Sequence, residues 1–269
     1  MLRARTPQRF GVAFLAAATM AVSACKTERA DSGNGRGPAG VLTAVPSPRT
    51  GGYVVIPSNE PPLLNPVLQT AFDRATPLLF EGLVGLDASL NPMPLLAESW
   101  DQSSDGTEVI FHLRRGALWH DGQPFTAADV LFTVERIRQD NVPSVWRGYL
   151  SSLASIAATD DHTIKVTYAE PYGPTLASWT FGIIPRHIFE GHKLTDAAAN
   201  RSPIGTGPFR FVRWTPRKHI LVEANDKHWR QRPRLDKVEI VFDTQAGQSL
   251  AALRAGKLDL AEIDSPEQW

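Results

Sequence analysis

The sequence predicts a mixed α/β fold of sheets and short helices, and three stretches carry that expectation. Phe209, Phe211 and Trp214 interleave with Arg210 and Arg213, Thr215-Pro216 interrupts, and Ile220, Val222 and Ala224 alternate again. That is the pattern of an antiparallel hairpin with one buried face. Glu108–Leu113 alternates as a strand, and beyond it Thr126 stands three residues before Asp129 and ahead of Val130, Leu131, Val134 and Ile137, a capped amphipathic helix. Val238, Ile240 and Phe242 then read as a strand, Leu250 and Leu253 as a helix closed by Gly256, and Leu258–Glu262 as the next strand.

Taken from its start, the 269-residue chain opens with Arg3, Arg5 and Arg9, followed by a largely apolar run, Phe10 to Val22, too short to span a bilayer. Val22-Ser23-Ala24-Cys25 follows, so residues 1–24 read as a lipoprotein signal peptide and Cys25, the one cysteine, as a lipidation site. Two acyl chains there would anchor the protein stably to a membrane. A buried core thiol is the other reading of Cys25. Residues 25–51 are rich in Gly, Pro, Ser, Thr and Arg without apolar period, the composition of a flexible tether. Residues 1–24 hold three of the 28 basic residues and none of the 28 acids, so the remainder carries a net charge of −3. With no basic stripe, nucleic acid is not an expected partner.

Tyr53–Ile56 reads as a short strand, and Pro61, Pro62 and Pro66 make the segment after it an ordered loop or edge. Thr76–Leu83 reads as a helix with Leu79, Phe80 and Leu83 at helical spacing, and Asn91–Trp100 carries Leu95, Leu96 and Trp100 at packing positions. Asp121-Gly122 is a turn signal, Asn141–Leu150 a loop with two aromatics, Trp146 and Tyr149, and Asp160-Asp161-His162 a turn before the strand Thr163–Tyr168. Ile184-Pro185-Arg186-His187 starts a further helix. In Gly205-Thr206-Gly207-Pro208 the glycines offer positive φ twice and the proline fixes the exit from the turn.

These stretches resemble, in order, the bacterial extracellular solute-binding proteins of peptide ABC transporters, the oligopeptide, dipeptide and nickel-binding family. The resemblance rests on Leu64-Asn65-Pro66, the F-E-G-L of Phe80–Leu83, Pro94–Trp100, the run from Arg115 to Val130, Ile184–His187, GTGPF at Gly205–Phe209, A-N-x-x-x-W at Ala224–Trp229, Pro233–Ile240 and A-L-x-x-G-x-L-D at Ala252–Asp259. It implies a periplasmic-binding-protein-like type II fold, with a main sheet lobe formed by residues 52–78 and 185–269 and an inserted α/β subdomain at 79–184. It also implies a second lobe that the 269 residues do not contain, so the chain is expected to be a fragment or truncated reading frame with an open sheet edge prone to aggregation.

By position, Thr70, Phe72, Trp146 and Glu262 match ligand-contacting residues of the family, while Trp146 reads equally well as a cover over the core. The function implied is a lipid-anchored receptor on the extracytoplasmic or periplasmic side that binds peptides or a related small solute and delivers them to an ABC permease, as a monomer and without cofactor. Two alternatives stand. One is a lipoprotein hydrolase acting on peptide or cell-wall substrates through Ser249 in Gly247-Gln248-Ser249-Leu250-Ala251, disfavoured because no histidine follows the serine. The other is a remnant that binds nothing. Seven scattered histidines form no metal-ligand spacing, although relatives that carry nickel or haem keep such cargo open by analogy.

Overall fold

The computed structural model describes residues 50–242 and 248–261. Cys25, Gly247 and Glu262 lie outside them, as does Thr244, the expected cap of the helix carrying Leu250 and Leu253. In chain order the elements are β1 (Tyr53–Pro57), α1 (Thr76–Leu79), β2 (Val84–Leu86), β3 (Pro92–Pro94), β4 (Ala97–Gln102), β5 (Glu108–Leu113) and α2 (Ala127–Arg138). They continue with β6 (Leu153–Asp160), β7 (Thr163–Tyr168), α3 (Arg186–Phe189), β8 (Phe209–Thr215), β9 (His219–Ala224), β10 (Lys237–Val241) and α4 (Ser249–Arg254).

Local chemistry explains the pieces. The expected hairpin is β8 and β9, paired from Phe209 opposite Ala224 to Thr215 opposite His219. A bulge between Phe211 and Arg213 inserts one residue, which is why Trp214, out of strict alternation with Phe211, still faces Ile220. Helix α2 begins with a capping box in which Thr126 N–H donates to Asp129 Oδ2 at 3.0 Å, and it buries Val130, Val134 and Ile137. The Asp129 carboxylate also accepts from Arg186 N–H at 2.9 Å, so one acid starts α2 and positions α3.

Three sheets result. One has the order β1-β10-β9-β8, with β1 and β10 parallel and the other pairs antiparallel. Another is the antiparallel sheet β4-β5-β7-β6, and β2 and β3 form a two-stranded ribbon. Alternate residues of β5 and β7 are buried, so Val109, Phe111, Leu113, Ile164 and Val166 face a common core with Trp179 and Phe181. Phe111 and Trp179 lie 5.2 Å apart, and Trp179 Nε1 donates to Tyr168 Oη at 2.9 Å, so the buried indole keeps its polar atom satisfied.

The structure departs from the sequence reading at four points. Gly205 and Gly207 do not take positive φ; they are needed because the backbone passes too close for a side chain. A Cβ on Gly205 would stand 1.8 Å from Leu79 O, and one on Gly207 2.5 Å from Leu78 O. Second, the helix read over Thr76–Leu83 stops at Leu79, where Phe80 is extended at φ −125° and ψ 142°. Leu79 O there accepts from Gly207 N–H and Glu81 O from Ile183 N–H, so tertiary bonds claim the carbonyls. Third, Leu258–Ala261 is not a strand in the described residues, although Asp259 N–H donates to Val55 O and Val55 N–H to Asp259 Oδ2, holding the segment against β1. Fourth, β6 was not foreseen: Leu-Ala-Ser-Ile-Ala-Ala-Thr-Asp is a mostly exposed edge whose small residues give no alternation to read.

Candidate binding surface

The loop from Ser58 to Ala75 leaves the carboxyl end of β1 and carries the first two expected contact residues. Its three prolines cannot donate to a ladder, so side chains hold it instead. Asn65 Nδ2 donates to Asn200 Oδ1 at 2.9 Å, Asn65 Oδ1 accepts from Val67 N–H at 3.0 Å, and both asparagines are buried. At the far end Asp73 Oδ1 accepts from the N–H groups of Ala75 and Thr76, at 2.8 and 2.6 Å. Its Oδ2 accepts from Thr76 Oγ1 and Gln69 Nε2, at 2.8 and 2.9 Å. Burial raises the Asp73 carboxyl above the usual carboxylate range, and these hydrogen bonds act in the opposite direction. Arg74 N–H donates to Ser58 Oγ, so the loop closes on its own start.

Between these two anchors Thr70 is exposed and Phe72 is 44% exposed. An apolar ring presented outward on a rigidly held loop is suited to contact with another molecule. Trp146 sits in a 3-10 turn, Val145–Leu150, half-buried, with its ring 5.9 Å from Phe181 and 5.5 Å from Tyr149. Its Nε1 donates to Pro66 O at 3.1 Å, so Trp146 joins this turn to the same loop. Both uses weighed for Trp146, core cover and surface contact, are compatible with a ring that packs on one side. Glu262 lies outside the described residues. Ser249, the hydrolase candidate, is buried in the first turn of α4.

Sequence reading missed the anchors. Asn65 was visible only as part of a loop motif, and its partner is 135 residues away. Asp73 did leave a signal, an acid three residues ahead of Thr76-Pro77, the arrangement that satisfies the first N–H groups of a helix. Also missed was an open cleft of about 560 Å³ lined by Glu60, Arg201, Phe211, Arg213, Trp214 and Pro216. Glu60 belongs to the same loop and Trp214 to the end of β8.

Two clusters tie the sheets together around this surface. Glu81, buried, accepts from Trp229 Nε1 at 2.7 Å and lies 3.2 Å from His228 Nε2, while the Arg114 guanidinium covers the Trp229 ring at 4.1 Å. His120 grips the glycine turn: its Nδ1 accepts from Gly205 N–H at 3.1 Å and its Nε2 donates to Gly207 O at 3.0 Å, which fixes the tautomer. Burial is the main cause that pushes the His120 imidazole down to about 4.

Comparison with known proteins assigns this fold to a family. The profile of the bacterial extracellular solute-binding proteins, family 5 Middle, matches residues 91–269, and the chain belongs to that family. A Brucella ovis protein named for ABC transporter peptide binding is 32% identical over 222 residues, 80% of this chain and 42% of its own length. Among solved structures, AppA from Bacillus subtilis in complex with a nonapeptide superposes with a TM-score of 0.72 at 29% identity, covering 79% of this chain and 44% of that one. NikZ from Campylobacter jejuni in complex with Ni(L-His) gives a TM-score of 0.73 at 29% identity, over 79% and 43%. The chain thus spans less than half the length of these relatives.

Proposed function

We propose that the chain is the peptide-facing portion of an ABC transporter receptor, which holds a peptide or related small solute and passes it to a membrane permease without chemical change. The observation that carries this reading is Phe72, an exposed ring between two buried anchors, Asn65 and Asp73, in a chain of the solute-binding family. The AppA complex with a nonapeptide supports a peptide as the ligand class. In this reading Thr70, Phe72, Trp146 and Glu262 touch the ligand, the strands of 52–78 and 185–269 form the main lobe, and 79–184 is an insertion. Affinity comes from apolar contact and backbone hydrogen bonds, and closure of two lobes signals loading.

The test is calorimetric titration with a pool of short peptides. Because Phe72 is already exposed, Phe72→Ala is expected to leave the melting temperature unchanged and to weaken binding about tenfold, the loss typical of an aromatic anchor. Unchanged affinity would remove Phe72 from the site. Lipid anchoring through Cys25 places the receptor on the extracytoplasmic face. Cys25→Ser is expected to move the protein from the membrane fraction to the soluble fraction, and retention in the membrane contradicts it.

A further inference from the structure

The cleft beside Trp214 is lined by two arginines, Arg201 and Arg213, that form no ion pair among the described residues. Glu60, the acid in the cleft, is committed elsewhere: its Oε1 accepts from Trp214 Nε1 at 2.9 Å, and both its oxygens from Arg217 N–H at 3.1 Å. Arg201 lies over the Trp214 ring, 4.2 Å from its centroid, and neither Arg201 nor Arg213 forms an ion pair among the described residues. A guanidinium stacked on an aromatic face keeps its in-plane N–H donors directed outward, the arrangement that suits a carboxylate. Arg213 enters the same cleft just past the β8 bulge, and bulges of this kind re-aim side chains. Phe211, Trp214 and Pro216 supply an apolar wall, and about 560 Å³ is within the size range of small-ligand sites.

We propose that this cleft binds a carboxylate borne on a flat apolar body, with Arg201 and Arg213 taking the carboxylate and Phe211 and Trp214 taking the body. None of the residues lining the cleft is Thr70 or Phe72, and the proposal does not rest on the transport reading. Its chemistry occurs in free aromatic acids and at the carboxyl end of a peptide that finishes in an aromatic residue, so both are used as probes.

The experiment titrates the chain with N-acetylphenylalanine and with its amide, and in parallel with Ala-Ala-Phe and its amide. The acids are expected to bind and each amide to bind at least about tenfold more weakly, the scale of a lost charge-assisted contact. Arg201→Gln and Arg213→Gln, both on exposed side chains, should each weaken the acid about tenfold with circular dichroism unchanged. Glu60→Gln should tighten it by removing a nearby negative charge, an effect that general loosening of the cleft would not produce. Acid and amide binding alike, no binding of either, or indifference to both arginine changes overturns the site. Binding of the short-peptide pool without binding of either acid defeats this proposal and leaves the solute-binding reading intact; binding of the acids without binding of the pool keeps the site and removes only the peptide as the transported class.

Discussion

At the scale of single residues, His120 has the largest predicted consequence. Its ring is held neutral chiefly because burial desolvates it, and in that form Nδ1 accepts from Gly205 N–H. The folded value of about 4 lies below the ordinary 6.5, so the unfolded chain binds the proton more readily. His120 therefore contributes stability in full above pH 6.5, and that contribution is lost as pH falls toward 4. The shift corresponds to about 3 kcal/mol at most. Ring titration followed by NMR should place His120 near 4. A value near 6.5 would show that the imidazole is solvated and the clamp open. Asp73 belongs to the same scale: burial opposes its charge, and four donors from Gln69, Ala75 and Thr76 fix the loop that presents Phe72.

Between elements, α1 and the entry to β8 pass so close that Gly205 has no room for a side chain. Gly205→Ala would force a methyl group onto Leu79 O, which backbone rather than a movable side chain provides, and is expected to cost more than about 3 kcal/mol. Gly122→Ala meets open space and only the strain of φ +90°, costing about 1–2 kcal/mol. Denaturant midpoints of the two variants compare them directly, and equal shifts would contradict the close approach.

The same elements show what was legible. Alternation exposed β5, β7, β8, β9 and β10, and the Thr126–Asp129 box exposed the start of α2, because each signal is local. The role of the Gly-Thr-Gly turn was misread because a positive φ and a close approach both call for glycine, and only the position of Leu79 O distinguishes them. Edge strand β6 was invisible, since its small exposed residues bury no face. In the candidate site, Thr70, Phe72 and Trp146 were proposed from resemblance alone. The Asn65–Asn200 bond and the Glu60–Trp214 contact join residues 135 and 154 positions apart, which no window of sequence reveals.

For the whole molecule, the sheets are locked through side chains from distant stretches. Glu81 receives Trp229 Nε1 and faces His228 in a site from which water is largely excluded, while His120 binds the turn that leads into β8. The β1 loop and the Trp146 turn are joined directly by the bond from Trp146 Nε1 to Pro66 O, and such preorganisation is what a binding surface requires. The chain matches less than half the length of its relatives, and the transport reading is a proposal for the whole receptor. The most direct test is calorimetric titration of a short-peptide pool into the purified chain, and into the same chain extended through any downstream coding sequence, with chromatography of the peptides afterwards. Saturable binding, tighter in the extended form and with every peptide recovered intact, is the predicted result. Binding by neither form, or consumption of peptide by either, would contradict the account.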